Sequence, residues 1–343
     1  MDCRMHEMTS ADLKSSVRHL WELCFRDTPE FIDLYFRLRY RDALNEAILR
    51  DGQVVSALQL IPYELQTWGA RLPLAYLSGV CTHPQARRQG LMRRLLRQTH
   101  RRLYAEGCPV SSLIPAEPWL FDCYATSGYA PLFVYDWRRL SIAPGDDTVT
   151  VSEYREDSRD VYAYFSRKMG ERPCCVLHSE EDFGVVLADL YLSEGSLWVA
   201  RRDGAVTGLA FCVPTPDICR IGECLADTPA VARTLVNRAC EHTFMQEAEC
   251  LHPVAPGETG RPLGMLRIIR VADVLALHAR THPDTEACWR IADPDIPENN
   301  VCIRLSQGTA TPAAPDEGIP TGIGELAARL WRDERPYMSL MLN

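Results

Sequence analysis

The stretch LAYLSGVC at residues 74–81, followed by HPQARRQGLMRRLL at 83–96, decides the fold of the N-terminal part of this chain. Its apolar first part predicts a buried strand, and its second part predicts a basic loop that leads into an amphipathic helix. The first turn of a helix offers backbone N–H groups without an intrahelical partner, and the helix dipole adds positive potential there. Gly90 would allow a ligand oxygen close to the backbone, while Arg87 and Arg88 supply guanidinium groups. The pattern therefore predicts a phosphate-binding loop between a strand and a helix.

The composition is that of a globular protein with more than one domain. The chain has 343 residues, of which 46% are hydrophobic and 24% charged, and its formal net charge is −9. This length favours two or three domains. The acidic balance argues against nucleic acid as the main partner, because phosphate backbones require a basic surface. The absence of a run of about eighteen apolar residues argues against a membrane-spanning segment.

The cysteines favour reduced thiols in the cytoplasm. Fourteen cysteines are spread along the chain, and no Cys-x-x-Cys pair occurs among them. The N-terminus MDCRMHE lacks the apolar core of a secretory signal, so the sequence predicts a cytoplasmic protein without a disulfide framework. No two-by-two spacing of zinc ligands is present, and we expect no metal.

The first 145 residues are predicted to form one α/β unit. Two helices are predicted before residue 50, followed by a hairpin that turns at Asp51-Gly52. A strand at 74–82 and a helix at 90–106 come next, and Gly107 stands where a helix C-cap is expected. Further strands at 110–114 and 132–142 flank a short helix.

The remaining chain divides into a weaker copy of this unit and a third segment. Residues 146–260 repeat the Asp-Gly turn at Asp203-Gly204 but have no arginine-rich loop, so we expect no phosphate site there. A Pro/Gly-rich linker over 253–264 leads into predicted strands and helices, with a loose loop over 309–322. The apolar tail after residue 335 is predicted to dock into the protein rather than fray.

The loop resembles the acetyl-CoA signature of GNAT-type N-acetyltransferases, Gln/Arg-x-x-Gly-x-Gly/Ala at the start of a helix behind a strand. Arg87 takes the first position and Gly90 that of the first glycine, whereas Met92 stands where glycine or alanine is usual. This departure, the segment CYATSGY at 123–129 and the motif DPDIPENN at 293–300 resemble the Eis-like (enhanced intracellular survival) branch of the family. The resemblance is strong over 76–130 and faint over 150–250.

The resemblance implies an α/β fold of tandem GNAT-like units, with mixed central sheets flanked by helices, plus a C-terminal domain. Residues 1–145 would bind acetyl-CoA, residues 146–260 would form a degenerate second unit, and residues 261–343 would form a sterol-carrier-like α+β domain whose tail docks at the active site. The implied enzyme transfers an acetyl group from acetyl-CoA to a primary amine, an aminoglycoside, polyamine or lysine-like acceptor, by direct attack in a ternary complex. Relatives in this branch form hexamers, so a homo-oligomer is expected.

The same resemblance implies roles for individual residues. The backbone of the strand would line the pantetheine arm, and the loop amides would bind the pyrophosphate. The implied cofactor-binding residues are Val80, Cys81, Thr82, Arg87, Arg88, Gln89, Gly90, Leu91 and Met92. Tyr124 matches the general acid, and the terminal carboxylate of Asn343 matches the general base. Amides near Val80 would form the oxyanion hole.

Several alternatives stay open at this point. Asp27 and Glu30, with Asp33, either attract the amine or are ordinary carboxylates at helix termini. Glu117 is an alternative base, an amine anchor or part of a salt bridge. Cys123 has no histidine that the sequence places to activate it, and His100 is most simply solvent-facing. The rival function is a non-catalytic acyl-CoA-binding or lipid-binding protein on the same scaffold.

Overall fold

The computed structural model describes residues 10–155, 159–255 and 258–342, which fold into α-helices and β-strands around two sheets. The helices are α1 (Ser10–Cys24), α2 (Pro29–Leu38), α3 (Leu91–Ala105), α4 (Leu120–Ala125), α5 (Arg159–Gly170), α6 (Glu180–Leu192), α7 (Pro229–Thr243), α8 (Val271–Thr281) and α9 (Ile323–Leu330). The first strands are β1 (Asn45–Arg50), β2 (Gln53–Thr67), β3 (Ala70–Thr82), β4 (Val110–Leu113), β5 (Ala130–Ser141), β6 (Thr150–Glu153), β7 (Cys175–Leu177) and β8 (Ser196–Arg202). The later strands are β9 (Ala205–Pro214), β10 (Cys219–Ala226), β11 (Glu247–His252), β12 (Arg261–Ile268), β13 (Ala287–Ala292), β14 (Cys302–Ser306), β15 (Thr309–Pro312) and β16 (Ile319–Gly322).

The large sheet contains the same arrangement twice, which confirms the predicted mixed α/β fold of tandem GNAT-like units. Its strands run in the order β1-β2-β3-β4-β12-β5-β11-β10-β9-β8-β6, and β7 pairs with β2. In the first unit (residues 10–141), β1, β2 and β3 are antiparallel, and α3 leads to β4, which is parallel to β3. In the second unit (residues 150–252), β8, β9 and β10 are antiparallel, and α7 leads to β11, which is parallel to β10.

The two predicted Asp-Gly turns occupy equivalent hairpins in the two units. Asp51 and Gly52 join β1 to β2 with φ of 51° and 77°, and Asp203 and Gly204 join β8 to β9 with φ of 51° and 82°. Two consecutive residues at positive φ form the turn whose twist matches that of the flanking strands. The local sequence therefore fixes both hairpins.

Strand β12 lies in the large sheet, between β4 and β5. It pairs antiparallel with both neighbours, at Leu266↔Ser112 and Leu266↔Ala130. The chain thus returns to the first unit after completing the second. The linker predicted over 253–264 is wrong at its end, because β12 begins at Arg261.

A second sheet of four strands, in the order β15-β14-β13-β16, completes the fold. Strands β15 and β16 lie within 309–322, so the loose loop predicted there is wrong. Helices α8 and α9 join this sheet to the first unit through one apolar core, in which Trp331 stacks on Trp68 at 4.5 Å between ring centroids. No helix among the described residues is both long enough and apolar enough to cross a membrane.

Candidate active site

A split opens between the central strands of the first unit. Parallel pairing of β3 and β4 runs from Leu74↔Val110 to Tyr76↔Ser112, and β3 then continues to Thr82. Beyond Tyr76, the backbone of β3 is therefore free of pairing with β4. An exposed strand edge of this kind can pair with the amide groups of an extended ligand.

A β-bulge lies in β3 beside this split. Ser78 pairs with Gln59 and Cys81 with Ala57, so that Gly79 and Val80 together oppose a single residue of β2. Gly79 has φ of 60°, the left-handed conformation that favours glycine. A bulge re-aims the backbone groups of the extra residue away from the ladder. The N–H of Val80 is consequently a candidate donor to a ligand in the split.

Trp21 closes the bulge from the side of α1. A Cβ atom on Gly79 would lie 2.1 Å from Cζ3 of Trp21, so only glycine fits under this ring. The indole Nε1 of Trp21 donates a hydrogen bond to Oδ2 of Asp27 at 2.7 Å. Asp27, which the sequence suggested as an amine anchor, therefore holds the ring that shapes the bulge.

Helix α2 covers the same face of β3. Thr28 caps its N-terminus by accepting a hydrogen bond from the N–H of Phe31, and Pro29 occupies its first turn. The hydroxyl of Tyr35 donates to Oγ of Ser78 at 2.8 Å, directly before the bulge. The bulge is thus held from α1 through Trp21 and from α2 through Tyr35.

The loop after β3 has the conformation expected of an anion-binding loop. His83 accepts a hydrogen bond from the N–H of Gln85 at 3.2 Å, which starts a single 3-10 turn. Arg88 and Gly90 both have positive φ, 62° and 72°, and Gly90 is the N-cap of α3. A Cβ atom on Gly90 would meet nothing within 4 Å, so the space above this backbone is open. Backbone N–H groups at the start of α3 face that space.

Two side chains of the loop make contacts within the protein. Nε of Arg87 donates to the carbonyl of Thr82 at 3.2 Å, and Oε1 of Gln89 accepts from Arg50 at 2.8 Å. Leu91 is buried, and Met92 packs partly buried against the core between α3 and the sheet. Met92 thus serves helix packing at the position where the family pattern has a small residue.

Cys24 and Cys81 form a thiol pair beside the loop that the sequence did not reveal. Sγ of Cys24 lies 3.4 Å from the carbonyl of Thr82. A hydrogen bond from Cys81, with a smaller contribution from Arg87, lowers the pKa of the Cys24 thiol to about 6. The thirteen cysteines in the described part of the chain all carry free thiols.

Tyr124 and Tyr129 have different environments. The hydroxyl of Tyr129 contacts Oγ of Ser111 at 2.9 Å and Nε2 of His100 at 3.2 Å, so it links β4 to α3. Tyr124 is also buried, and burial raises the pKa of its phenol well above the ordinary value. No described residue forms a hydrogen bond with the Tyr124 hydroxyl, and Cys81 of β3 is among the groups that influence its pKa. The Tyr124 phenol is therefore protonated, has no hydrogen-bond partner among the described residues, and lies close to the bulge.

The glycine between these tyrosines has a structural reason. A Cβ atom on Gly128 would lie 2.0 Å from Nη1 of Arg267, which donates to the carbonyl of Ser127 at 2.8 Å. Arg267 is fully buried and pairs with Asp293 at 2.7 Å. The motif at 293–300 thereby ties the C-terminal segment to the first unit.

His100 is buried, and its predicted exposure to solvent is wrong. Its Nδ1 lies 2.9 Å from Oδ2 of Asp295, and both side chains have no exposed surface. Burial, with the charge of Arg267, lowers the pKa of His100 to about 4. Pairing over 195 positions could not be read from the helix periodicity around residue 100.

The other acidic residues that the sequence singled out have exposed side chains. Asp33 accepts from Arg18 at 2.6 Å, which is an exposed ion pair. Glu30 is exposed in the first turn of α2, and Glu117 is exposed after β4. Cys123 is half-buried on α4 next to Tyr124.

The C-terminal tail is buried between the two units, as the sequence predicted. Tyr337 pairs with the backbone of Cys174 and Val176 beside β7, at 3.1 and 3.0 Å. Leu342 packs against Leu34 of α2 and Val185 of α6. Asn343 lies outside the described residues.

The second unit holds this tail at its own bulge. In β10, Gly222 is an extra residue between Ile221, which pairs with Cys212, and Glu223, which pairs with Phe211. Pairing of β10 with β11 ends at Ile221, so the second unit is also split beyond this point. The split contains part of the protein itself: Oγ of Ser339 donates to Glu223 at 2.6 Å.

Glu223 forms a buried ion pair. It is 1% exposed and accepts two hydrogen bonds from Arg172, at 2.8 and 2.9 Å. The charge of Arg172 and these hydrogen bonds hold the pKa of Glu223 below its usual value despite burial. The guanidinium also lies 4.4 Å from the ring centroid of Tyr337. No local sequence pattern indicates this anchor, because its parts come from β10, the segment before β7 and the tail.

No three His, Cys, Asp or Glu side chains among residues 10–155, 159–255 and 258–342 lie close enough together to hold a metal ion.

Trp21, Tyr35 and Ser78 were missed by sequence reasoning, since each contributes through a partner distant in the chain.

Comparisons with known proteins agree with this geometry. Residues 4–132 match the family model described as Acetyltransferase (GNAT) domain. A search of the curated proteins found no match. The N-terminal part of the chain is therefore similar to acetyltransferase domains.

Solved structures share the fold over nearly the whole chain. A GCN5-related N-acetyltransferase from Anabaena variabilis is 14% identical with a TM-score of 0.76, covering 96% of this chain and 97% of that one. A probable N-acyltransferase from Enterococcus faecalis is 15% identical with a TM-score of 0.75, covering 95% of each chain. Eis1 from Mycobacterium abscessus is 15% identical with a TM-score of 0.71, covering 93% of this chain and 86% of that one.

Proposed function

We propose that the chain transfers an acetyl group from acetyl-CoA to a primary amine by direct attack in a ternary complex. The observation that carries this proposal is the split beyond Tyr76, with the bulge at Gly79 and Val80 on one side and the open loop at Gly90 at its end. The amide at the bulge, the free strand edge up to Thr82 and the helix N-terminus at Gly90 follow one another in the order of thioester, pantetheine and pyrophosphate in acetyl-CoA.

The residues fit acetyl-CoA at each of these points. The backbone of Val80, Cys81 and Thr82 would pair with the pantetheine amides, because β3 has no pairing with β4 there. The pyrophosphate would lie over the open backbone at Gly90. The residues proposed to surround it are Arg87, Arg88, Gln89, Gly90, Leu91 and Met92. When bound, acetyl-CoA supplies the activated acetyl thioester.

The N–H of Val80 would stabilise the negative charge that develops on the carbonyl oxygen during attack. Preorganised amides of this kind are worth about 10²–10³ in rate. The bulge frees this amide from the ladder, and Trp21 and Tyr35 hold the bulge in place.

Tyr124 would act as the general acid. As the amine nitrogen bonds to the acetyl carbon and the carbon–sulfur bond breaks, the phenol gives its proton to the departing sulfur. Burial keeps this phenol protonated at neutral pH, and no described group competes for its hydroxyl. Cys123 has no assigned part in this scheme.

The terminal carboxylate of Asn343 is proposed as the general base that takes a proton from the acceptor ammonium, so that the neutral amine can attack the acetyl carbon. Support comes from the buried tail that leads to it, since Ser339 is fixed by Glu223 and Leu342 by two helices. An α-carboxyl group is ionised at neutral pH and accepts a proton more readily when desolvated.

The acidic residues that the sequence suggested as amine anchors are proposed to have two different roles. Asp27 would act by holding Trp21 rather than by binding the amine. Glu30 and Glu117 are exposed, and we propose that they attract a cationic acceptor through their charge.

The roles of the three domains and the oligomeric state are proposed from the family resemblance. Residues 1–145, 146–260 and 261–343 are proposed as the acetyl-CoA-binding, degenerate and sterol-carrier-like domains, the third supported by the four-stranded sheet with α8 and α9. An Eis-like hexamer in the cytoplasm is proposed from the resemblance alone, and light scattering of the full chain tests the assembly.

The test is CoA release by the full chain with acetyl-CoA and a panel of polyamines, aminoglycosides and lysine-containing compounds. Tyr124→Phe should lower kcat by about 10²–10⁴ with little change in the KM for acetyl-CoA. Adding three residues after Asn343 should suppress turnover, while acetyl-CoA binding by calorimetry persists. An unchanged kcat in either variant would remove that group from its proposed role.

A further inference from the structure

The last turn of α1 contacts β3 at two places along its free strand edge. Trp21 covers the bulge at Gly79, and three residues later Cys24 ends the helix beside Thr82. Sγ of Cys24 donates a hydrogen bond to the carbonyl oxygen of Thr82 at 3.4 Å. The edge between the bulge and Thr82 therefore has an aromatic ring of α1 at one end and a thiol of α1 at the other.

Cys81 brings a second thiol to the same place. Its side chain is 6% exposed and packs in one apolar cluster with Trp21, and its Sγ lies 3.7 Å from the carbonyl oxygen of Ala57. The Cys81 thiol is also within hydrogen-bonding reach of the Cys24 sulfur. Because Cys24 is half-buried, a small reagent from solvent meets Cys24 before Cys81.

The surroundings of Cys24 favour its thiolate. A hydrogen bond from Cys81, with smaller contributions from Arg87 and the backbone of Thr82, lowers the pKa of the Cys24 thiol to about 6. The thiolate is the nucleophilic form of cysteine, and reactive cysteines are partly exposed and lie beside cationic groups. Cys219 provides a contrast, because a neighbouring thiol also lowers its pKa but its side chain has no exposed surface. Cys24 combines the reactive form with access to solvent.

Arg87 connects this thiol pair to the loop before α3. Its Nε donates to the carbonyl oxygen of Thr82 at 3.2 Å, and the same oxygen accepts from Cys24. Arg87 lies three residues before Gly90, the N-cap of α3. A change in the charge or bonding of Cys24 therefore reaches the loop through one carbonyl group and one guanidinium.

We propose that Cys24 is a modification site for hydroperoxides, at which oxidation leads to a disulfide with Cys81 and weakens the binding of acetyl-CoA. The effect on acetyl-CoA rests on the proposed function, whereas the thiol chemistry does not.

The reaction takes two steps with hydrogen peroxide as the oxidant. The Cys24 thiolate attacks one peroxide oxygen, so that a sulfur–oxygen bond forms, the oxygen–oxygen bond breaks, and the departing hydroxide takes up a proton to become water. Cys24 is then a sulfenic acid. The sulfur of Cys81 attacks the sulfur of Cys24, the sulfur–oxygen bond breaks, and the hydroxyl group leaves with the thiol proton of Cys81 as a second water.

The disulfide would disturb the edge of β3 that is proposed to pair with pantetheine. Oxidation removes the S–H donor from the carbonyl of Thr82 and the negative charge beside Arg87. Disulfides tolerate only a narrow range of geometries, so the backbone at residues 81–82 would have to adjust. Binding and oxidation are then linked, and bound acetyl-CoA should in turn disfavour the disulfide.

The test compares the reduced full chain with the chain treated with hydrogen peroxide. The tryptic peptides 19–26 and 72–87 contain one cysteine each, Cys24 and Cys81, and mass spectrometry should recover them as a linked pair after treatment. The dissociation constant for acetyl-CoA, measured by calorimetry, should rise about tenfold, which is within the usual range for linked sites. Dithiothreitol should remove the link and restore the affinity.

Three variants separate the steps. Cys24→Ser keeps a donor for the carbonyl of Thr82, so it should bind acetyl-CoA as the unmodified chain does and be insensitive to peroxide. Cys81→Ser should stop the reaction at the sulfenic acid, which dimedone labels on peptide 19–26. Cys302→Ser is the matched control, because it removes one thiol of another close pair, 4.0 Å from Sγ of Cys288, and should keep the full response to peroxide.

Absence of the linked peptides, or an equal loss of acetyl-CoA affinity in peroxide-treated Cys24→Ser, would overturn the inference and leave the acetyltransferase proposal standing. Linked peptides with an unchanged affinity for acetyl-CoA would also overturn it, because oxidation would then have no effect on the site. If the reduced chain binds no acetyl-CoA, the proposed function fails, and the linked peptides alone decide whether Cys24 is a modification site.

Discussion

Replacing Gly79 with alanine should damage the bulge by two separable effects. The first is backbone strain, because Gly79 has φ of 60° and a residue with a Cβ atom in that conformation costs about 1–2 kcal/mol. The second is a collision, since the added Cβ atom would lie 2.1 Å from Cζ3 and 2.8 Å from Cε3 of Trp21. Rotation of the Trp21 side chain away from Gly79 would break the hydrogen bond that its Nε1 donates to Oδ2 of Asp27 at 2.7 Å. Overpacking of this kind adds about 1–3 kcal/mol.

Gly69→Ala provides the matched control. Gly69 has φ of 70°, and a Cβ atom there would meet nothing within 4 Å. It therefore carries the strain cost alone. We expect Gly79→Ala to lower the free energy of unfolding in urea by about 2–5 kcal/mol and Gly69→Ala by about 1–2 kcal/mol. Only Gly79→Ala should also lower kcat, because the bulge positions the N–H of Val80.

A double-mutant cycle with Trp21→Leu isolates the collision. Because the smaller side chain leaves room for the added methyl group, Gly79→Ala should cost less in the Trp21→Leu background, with a coupling energy of at least about 0.5 kcal/mol. Equal destabilisation by Gly79→Ala and Gly69→Ala, together with no coupling to Trp21, would refute the steric account of the bulge.

Three further outcomes are expected. Ser339→Ala removes a hydrogen bond to the buried carboxylate of Glu223 and should destabilise the chain by about 1.5–3 kcal/mol and lower kcat, measured by urea unfolding and CoA release; an unchanged kcat would separate the anchor from catalysis. His100 has a folded-state pKa of about 4, below its unfolded value, so its neutral form contributes stability that is complete above about pH 6.5 and is lost as the pH falls toward 4; urea unfolding at pH 7 and 5 should show a smaller pH effect in His100→Gln. Asp27→Asn should leave the KM for acceptor amines nearly unchanged if Asp27 acts through Trp21, whereas a large rise in that KM would restore Asp27 as an amine anchor.

Local sequence signals predicted the parts of the fold that depend on local conformation. The Asp-Gly pairs predicted both hairpins because those residues adopt positive φ readily. Gly90 and the basic residues before α3 predicted a loop at the helix N-terminus, and Arg88 and Gly90 have positive φ there. In each case the chemistry that sets the structure lies within a few residues.

Features that depend on distant partners could not be predicted. His100 lies on a helix whose periodicity gives no sign of Asp295, which comes from the C-terminal segment. The role of Asp27 required knowing that Trp21 covers Gly79, and the strand β12 required knowing that the chain returns to the first unit. Hydrophobic and turn patterns do not encode which polar groups meet across a sheet.

The second unit holds the C-terminal tail at the place where the first unit has its open split. It has a split and a bulge like those of the first unit, but the chain's own tail lies there, with Ser339 on Glu223 and Tyr337 under Arg172. A buried carboxylate with a bidentate arginine is a demanding arrangement, because loss of either partner leaves an uncompensated charge. Such an anchor fixes the tail in one register, and a fixed tail is what a terminal carboxylate needs if it is to take a proton at a defined place. Under the proposed mechanism, the tail that occupies the split of the second unit would also position the terminal carboxylate for the first unit.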